Sequence, residues 1–293
     1  MKNTTMKLRS GRELEFSSEG RMVPALVMAI INCTDDSFYP ASRAGGQGAV
    51  ERALAAEGDG AAIVDFGGES TRPGARYIGM EEELDRVIPV IEAFRKRSGA
   101  PVSVDTRKAG VAGAALEAGA DIINDISALE DDPGMAALCA EKGAAVVLMH
   151  KQGEPLTMQV KPFYTDTAAE IGLYLRDVAD RAGAAGIPAD RIILDPGIGF
   201  GKSLEDNLIV LGHLAEICGR EYPLLVGLSR KSFIGEITGR DIQGRLAGTI
   251  TANAAAVMGG ADIIRVHDVR EAVDMVRMLH AIRLRSKNWS SFS

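Results

Sequence analysis

Eight times along this chain a short apolar run, rich in β-branched residues, is paired with a polar loop and a helical pattern of alanine and leucine. That rhythm restricts the fold more than any other feature. The runs fall at 26–31, 61–66, 101–104, 121–123, 145–149, 191–194, 224–228 and 262–266. Helical patterns lie at 48–57, 81–96, 108–118, 133–142, 166–185, 204–217, 244–258 and 269–283. Each run is nearly continuous in apolar residues, the mark of a parallel strand packed on both faces. Eight alternations suit a closed barrel better than an open doubly wound sheet. An open dinucleotide-binding sheet also needs Gly-x-Gly-x-x-Gly after a strand, and Gly197-Ile-Gly199-Phe-Gly201 has the wrong spacing. The expected fold is therefore α/β, a (β/α)8 TIM barrel over residues 25–285. Residues 1–24 are expected to hold a short β-hairpin, 7–8 against 13–16 turned at Ser10-Gly11, that plugs the N-terminal end of the barrel. Residues 286–293 read as a polar tail.

Composition removes several function classes. A formal charge of -7 argues against a nucleic-acid surface built on bulk positive charge, though not against a local cationic pocket. No apolar run approaches the roughly 20 residues of a membrane helix. The polar, charged residues 1–20 carry no signal-peptide pattern. Cys33, Cys139 and Cys218 are odd in number and far apart, which suits neither a disulfide framework nor a zinc site. The expected address is the cytoplasm.

Polar residues close almost every apolar run: Asn32, Asp65, Asp105, Asn124-Asp125, His150, Asp195, Ser229-Arg230-Lys231, and Arg265 with His267. In a (β/α)8 barrel the C-terminal strand ends share one rim, so residues distant in sequence converge there. Single aspartates and asparagines often cap the following helix instead, but eight in step argue for a shared cavity. Asp105, Asp195 and Asn124 suit a ring whose edge carries adjacent N–H donors, as a pterin does, because a carboxylate pairs with two parallel donors. Lys231 could donate to the carbonyl and imine nitrogen of the same ring. Arg265 and His267, two apart on an extended segment, project the same way. With a helix starting at Val269, they suit a phosphate or pyrophosphate. The glycine-rich stretch 67–76 and the stretch 32–46 have the composition of loops that close over a substrate.

Nine segments then stand in one order: Asn32-Cys-Thr-Asp-Asp-Ser-Phe38, Asp65-Phe-Gly-Gly-Glu-Ser-Thr-Arg-Pro-Gly74, Val104-Asp-Thr-Arg-Lys108, Ile123-Asn-Asp-Ile126, Leu148-Met-His150, Asp195-Pro-Gly-Ile-Gly-Phe-Gly-Lys202, Gly227-Leu-Ser-Arg-Lys-Ser-Phe233, Arg245-Leu-Ala-Gly-Thr249 and Arg265-Val-His-Asp268. In this the chain resembles the dihydropteroate synthase family over nearly its whole length. The resemblance implies condensation of 6-hydroxymethyl-7,8-dihydropterin pyrophosphate with p-aminobenzoate, dependent on Mg²⁺ and releasing pyrophosphate, in a sulfonamide-targeted homodimer. It implies roles by position. Asp105, Asn124, Asp195 and Lys231, with Met149 and Phe200, look like the pterin set. Asn32, Arg265 and His267 look like the diphosphate end, with Asn32 toward the metal. Thr71, Arg72, Pro73, Phe38 and Ser232 look like the p-aminobenzoate set. Lys231, Arg265, His267 and Asp105 are the expected catalytic residues.

Two departures stand out. The first loop reads Thr34-Asp35-Asp36-Ser37-Phe38-Tyr39-Pro40-Ala41, with Pro40 where the family carries an acidic residue, and Lys151 replaces a second methionine after Met-His. Two rival readings accompany the synthase. A pterin-binding methyltransferase domain shares the barrel but needs neither the Ser-Arg-Lys-Ser-Phe loop nor the Arg-Val-His site. A binding-only paralogue would hold the pterin without turnover.

Overall fold

The computed structural model describes residues 5–17, 23–33, 42–69, 77–153, 158, 160–219 and 221–285. It opens with an antiparallel hairpin, β1 (Thr5–Lys7) against β2 (Glu13–Glu15), with Met6 opposite Leu14. Eight parallel strands follow: β3 (Leu26–Asn32), β4 (Ile63–Gly67), β5 (Val102–Asp105), β6 (Ile122–Asp125), β7 (Ala145–Met149), β8 (Ile192–Asp195), β9 (Leu225–Gly227) and β10 (Ile263–Val266). They run side by side in the order β8-β7-β6-β5-β4-β3-β10-β9. A single bridge between Leu194 and Leu224, with the Leu194 N–H donating to Pro223 O at 3.0 Å, joins β8 to β9 and nearly closes the barrel.

The helices are α1 (Ser42–Gly58), α2 (Met80–Arg95), α3 (Ala109–Glu117), α4 (Met135–Lys142), α5 (Thr167–Ala184), α6 (Leu204–Gly212), α7 (Leu214–Cys218), α8 (Ser232–Thr238), α9 (Leu246–Met258) and α10 (Val269–Arg283). Their buried faces meet the outward residues of the strands, such as Val64, Phe66, Val104, Leu148 and Ile264, in one large core. The single helix expected over 204–217 breaks at His213, whose φ of -124° is not helical and whose Nδ1 lies 2.9 Å from Ile209 O. Helix α8 has no counterpart among the helical patterns read from sequence. It is only seven residues long, carries Gly235 inside it and ends on Gly239 in the left-handed region.

Alternation along each strand sends every second residue inward. The lower inward positions are apolar: Met28, Ile63, Ile122, Val147, Ile193, Leu225 and Ile263 form a second core inside the barrel. The hairpin's Met6, Leu8, Leu14 and Phe16 belong to that core, each at most 3% exposed, so the hairpin stoppers the N-terminal end. Ser10 N–H also donates to Asp121 Oδ1 at 3.2 Å, fixing the turn beneath β6. Among the described residues no helix is long and apolar enough to cross a membrane.

Candidate active site

One step of two residues above the apolar layer, the same inward phase turns polar. Ile63 gives way to Asp65, Ile122 to Asn124, Ile193 to Asp195 and Ile263 to Arg265, while on β5 a buried serine, Ser103, precedes Asp105 and on β7 Val147 precedes the apolar Met149. The ladder aligns them, with Asp105 beside Asn124, Met149 beside Asp195 and Arg265 beside Gly227. Asp125, the neighbour of Asn124, has the opposite phase. Its carboxylate accepts from Ser127 N–H at 2.7 Å, Ser127 Oγ at 2.6 Å and Leu129 N–H at 3.0 Å, so it shapes a turn.

Arg265 ties the polar layer together. Its Nε donates to Asp65 Oδ2 at 2.6 Å and its Nη2 to Asp105 Oδ2 at 2.8 Å. Asn124 Nδ2 donates to the same Asp65 oxygen at 3.3 Å. Asp65 is fully buried and its Oδ1 has no hydrogen-bond partner among the described residues. Burial pushes the Asp105 carboxyl up to about 7, against the pull of Arg265 and with added repulsion from Asp65. Burial also raises Asp195, although Lys231 and a hydrogen bond from Gly197 N–H at 2.7 Å oppose it.

Lys231 caps the start of α8 in an extended conformation. Its Nζ donates to Ile198 O and lies 4.5 Å from the centre of the Phe200 ring, a cation–π contact. Burial lowers the ammonium to about 8, while Asp195 works to keep it charged. The 196–201 loop that supplies both contacts is a tight coil. Gly197 sits at φ 65°, and a Cβ there would stand 1.9 Å from His150 O, so only glycine fits. Lys202 pins the coil from beneath. It donates to Gly197 O at 2.9 Å and Phe200 O at 3.2 Å, with His150 Nδ1 at 2.9 Å. Burial holds Lys202 down to about 7 and His150 down to about 3, so the imidazole is a neutral acceptor for the amine.

The next inward step reaches the lip. Asn32 and His267 are exposed there, and Ser229 Oγ meets His267 Nδ1 at 2.9 Å. Ser232, the first residue of α8, is exposed beside Lys231. Lys151 turns away to Asp131, with Nζ 3.1 Å from both carboxylate oxygens.

The structure thus brings Asp105, Asn124, Met149, Asp195, Phe200, Lys231 and Arg265 to one rim, with Asn32, His267 and Ser232 at its mouth. Phe38, Thr71, Arg72, Pro73 and Pro40 lie outside the described residues. The site list read from sequence left out Asp65 and Lys202. Asp65 carried a signal, since it is a charged residue near the close of an apolar run and shares the inward phase of Ile63. Lys202 carried little beyond closing a glycine-rich motif.

The chain matches the pterin binding enzyme family over residues 28–267. It is 46% identical over 256 residues to dihydropteroate synthase of Escherichia coli (strain K12), covering 87% of this chain and 90% of that relative. Among solved structures it is similar to Yersinia pestis dihydropteroate synthase in a sulfonamide drug complex. That likeness has a TM-score of 0.88 and 42% identity over 96% of this chain and 99% of the other. It is also similar to the Xanthomonas albilineans enzyme with 4-aminobenzoic acid, with a TM-score of 0.88, 41% identity, and coverage of 97% and 99%.

Proposed function

The chain belongs to the dihydropteroate synthases, and from that premise we propose how its own residues carry the condensation of 6-hydroxymethyl-7,8-dihydropterin pyrophosphate with p-aminobenzoate to 7,8-dihydropteroate and pyrophosphate. The observation that carries the reading is the polar layer: two strand-end aspartates, an asparagine, an arginine and a lysine stand above an apolar floor, at the C-terminal rim where barrel enzymes do chemistry.

The pterin lies flat in that layer. Asp195 takes adjacent N–H donors of the ring, and Lys231 donates to its carbonyl and imine nitrogen. Asn124 and Asp105 meet the far edge, while Met149 and Phe200 pack against the ring. The diphosphate reaches the lip, where Arg265, His267 and Asn32 receive it. The C–O bond to diphosphate breaks first, its electron pair leaving with the diphosphate, and the aniline nitrogen then attacks the pterin methylene. Each preorganised donor on the leaving group is worth roughly 3–4 kcal/mol. The ring shares the positive charge, which the Asp105 and Asp195 carboxylates favour. The aniline is already neutral near pH 7 and attacks without a strong base, and the proton its nitrogen sheds once the C–N bond has formed passes to the departing diphosphate or to water. Excluding water keeps the cation from being trapped as an alcohol.

Mg²⁺ prefers a few protein oxygens and takes the rest from phosphate and water. Asn32 offers such an oxygen, and no cluster of three or more His, Cys, Asp or Glu capable of holding a metal stands among the described residues. The donor set fits a cation bound largely through the substrate, with Asn32 holding its protein side. Held there, Mg²⁺ would supply neutralisation of the charge that develops on the leaving group. By the resemblance, Thr71, Arg72, Pro73, Phe38 and Ser232 are the residues assigned to p-aminobenzoate, and sulfonamides would compete for them. The enzyme works as a cytoplasmic homodimer, and the three unpaired cysteines suit a reducing compartment.

The test is pyrophosphate release on mixing both substrates with Mg²⁺, with product identified by mass. Tight pterin binding without release would identify a binding-only paralogue and overturn this reading.

A further inference from the structure

We propose that Arg230, acting through Asp268, is a positioning residue that sets the register between the two halves of the site. The inference rests on the division of roles given above, with the ring at Lys231 and the diphosphate at Arg265 and His267. Neither Arg230 nor Asp268 has a part in that chemistry.

Two adjacent residues after β9 grip two adjacent residues after β10. Ser229 Oγ accepts from the His267 backbone N–H at 3.2 Å and meets its ring Nδ1 at 2.9 Å. Arg230 donates from Nε to Asp268 Oδ2 at 2.9 Å and from Nη2 to Oδ1 at 2.8 Å. A two-pronged arginine–carboxylate pair fixes orientation as well as distance. Each grip lies next to a working residue, since Lys231 follows Arg230 and His267 precedes Asp268.

The backbone at Arg230 bears the mark of this duty. It stands at φ 56°, in the left-handed region that a non-glycine residue keeps only where its surroundings impose it. The surroundings are specific. Its N–H donates to Thr249 Oγ1 at 3.1 Å, its carbonyl accepts from Arg245 Nη1 at 3.0 Å, and its Nη1 donates to Ile242 O at 3.0 Å. The segments after β9 and β10 and the entry to α9 therefore meet on one arginine.

Such a brace matters because the substrate is one molecule spanning both halves. A joined ligand gains over its separate parts only when both subsites sit at the right separation. A misplacement of about 1 Å costs roughly a hundredfold in rate.

The experiment is isothermal titration of wild type, Arg230→Lys and Asp268→Asn with three ligands: hydroxymethyldihydropterin, pyrophosphate with Mg²⁺, and the joined pterin pyrophosphate. Thermal melts establish that each variant is folded. The separate ligands are expected to bind each variant within about twofold of wild type, whereas the joined ligand weakens by about ten- to a hundredfold and kcat falls with it. The lysine variant keeps the charge but loses the two-pronged grip, so it shares the loss. Wild-type affinity for the joined ligand in both variants would overturn the proposal. So would equal weakening of all three ligands, which is what a merely structural role predicts. Arg265→Ala, titrated alongside, checks the underlying reading. If it leaves pyrophosphate binding intact, the division of roles fails, while the contrast of joined and separate ligands still decides the part of Arg230.

Discussion

The two ends of this barrel are made from the same strands and the same inward-facing phase, yet they serve opposite ends. Below, Ile63, Ile122, Ile193 and Ile263 meet Phe16 and the rest of the hairpin in an apolar stopper. Two residues higher, Asp65, Asn124, Asp195 and Arg265 occupy the equivalent positions, and their buried charges need partners: Arg265 pairs with Asp65 and Asp105, and Asp195 faces Lys231. Moving up one pleat exchanges burial of apolar area, which stabilises, for buried charge, which costs stability unless paired. The lower end holds the fold, and the upper end spends some of that stability on a poised site.

Substitutions that separate stability from turnover test this contrast. Lys231→Ala is expected to abolish turnover while leaving the circular dichroism spectrum and cooperative unfolding intact. An active Lys231→Ala enzyme would mean the ring pocket is misassigned. Phe16→Ala should do the reverse, losing about 3–5 kcal/mol in denaturant unfolding with kcat per folded molecule unchanged. If turnover fell with it, the two ends would be coupled rather than separate. The mildest test is pH. Burial raises Asp105 to about 7, so it carries a proton below that value. Burial lowers Lys231 to about 8, so it sheds its proton above that value. A pocket needing a carboxylate and an ammonium should bind pterin best between these values, weakening by about tenfold per pH unit on either side. Titration calorimetry across pH 6–9 checks it, and a flat profile would remove at least one of the two charges from recognition.

The stopper was more legible in sequence than the site. All eight strands lie within two residues of the runs read from composition, because a strand buried on both faces announces itself by unbroken apolar residues. The strands mostly extend one or two residues past those runs, since Asp105, Asp125 and Asp195 remain in the sheet although they are polar. The hairpin was legible because Ser10-Gly11 supplies the turn, with Gly11 at φ 84°. Helix α8 was not, being too short for a helical period to show. At the rim, sequence indicated which residues converge but not how they pair. Arg265 was read as an anion ligand, and its grip on Asp65 and Asp105 could not be seen because those partners lie 200 and 160 positions away. Lys202 was missed for a related reason, since its acceptors are carbonyls made available only once the 196–201 coil has formed.

The incomplete joint between β8 and β9 has a bearing on how substrate enters. Asp195 ends β8 and Lys231 follows β9, so the two groups assigned to the ring stand on opposite banks of the least-laced stretch of the wall. On the assignment proposed above, a pterin touching both would be a stitch across that gap, where backbone pairing between the described strands is thinnest. Occupancy is then expected to firm the cylinder itself, the substrate serving as a structural member for as long as it stays, which a rise in melting temperature on pterin binding would show.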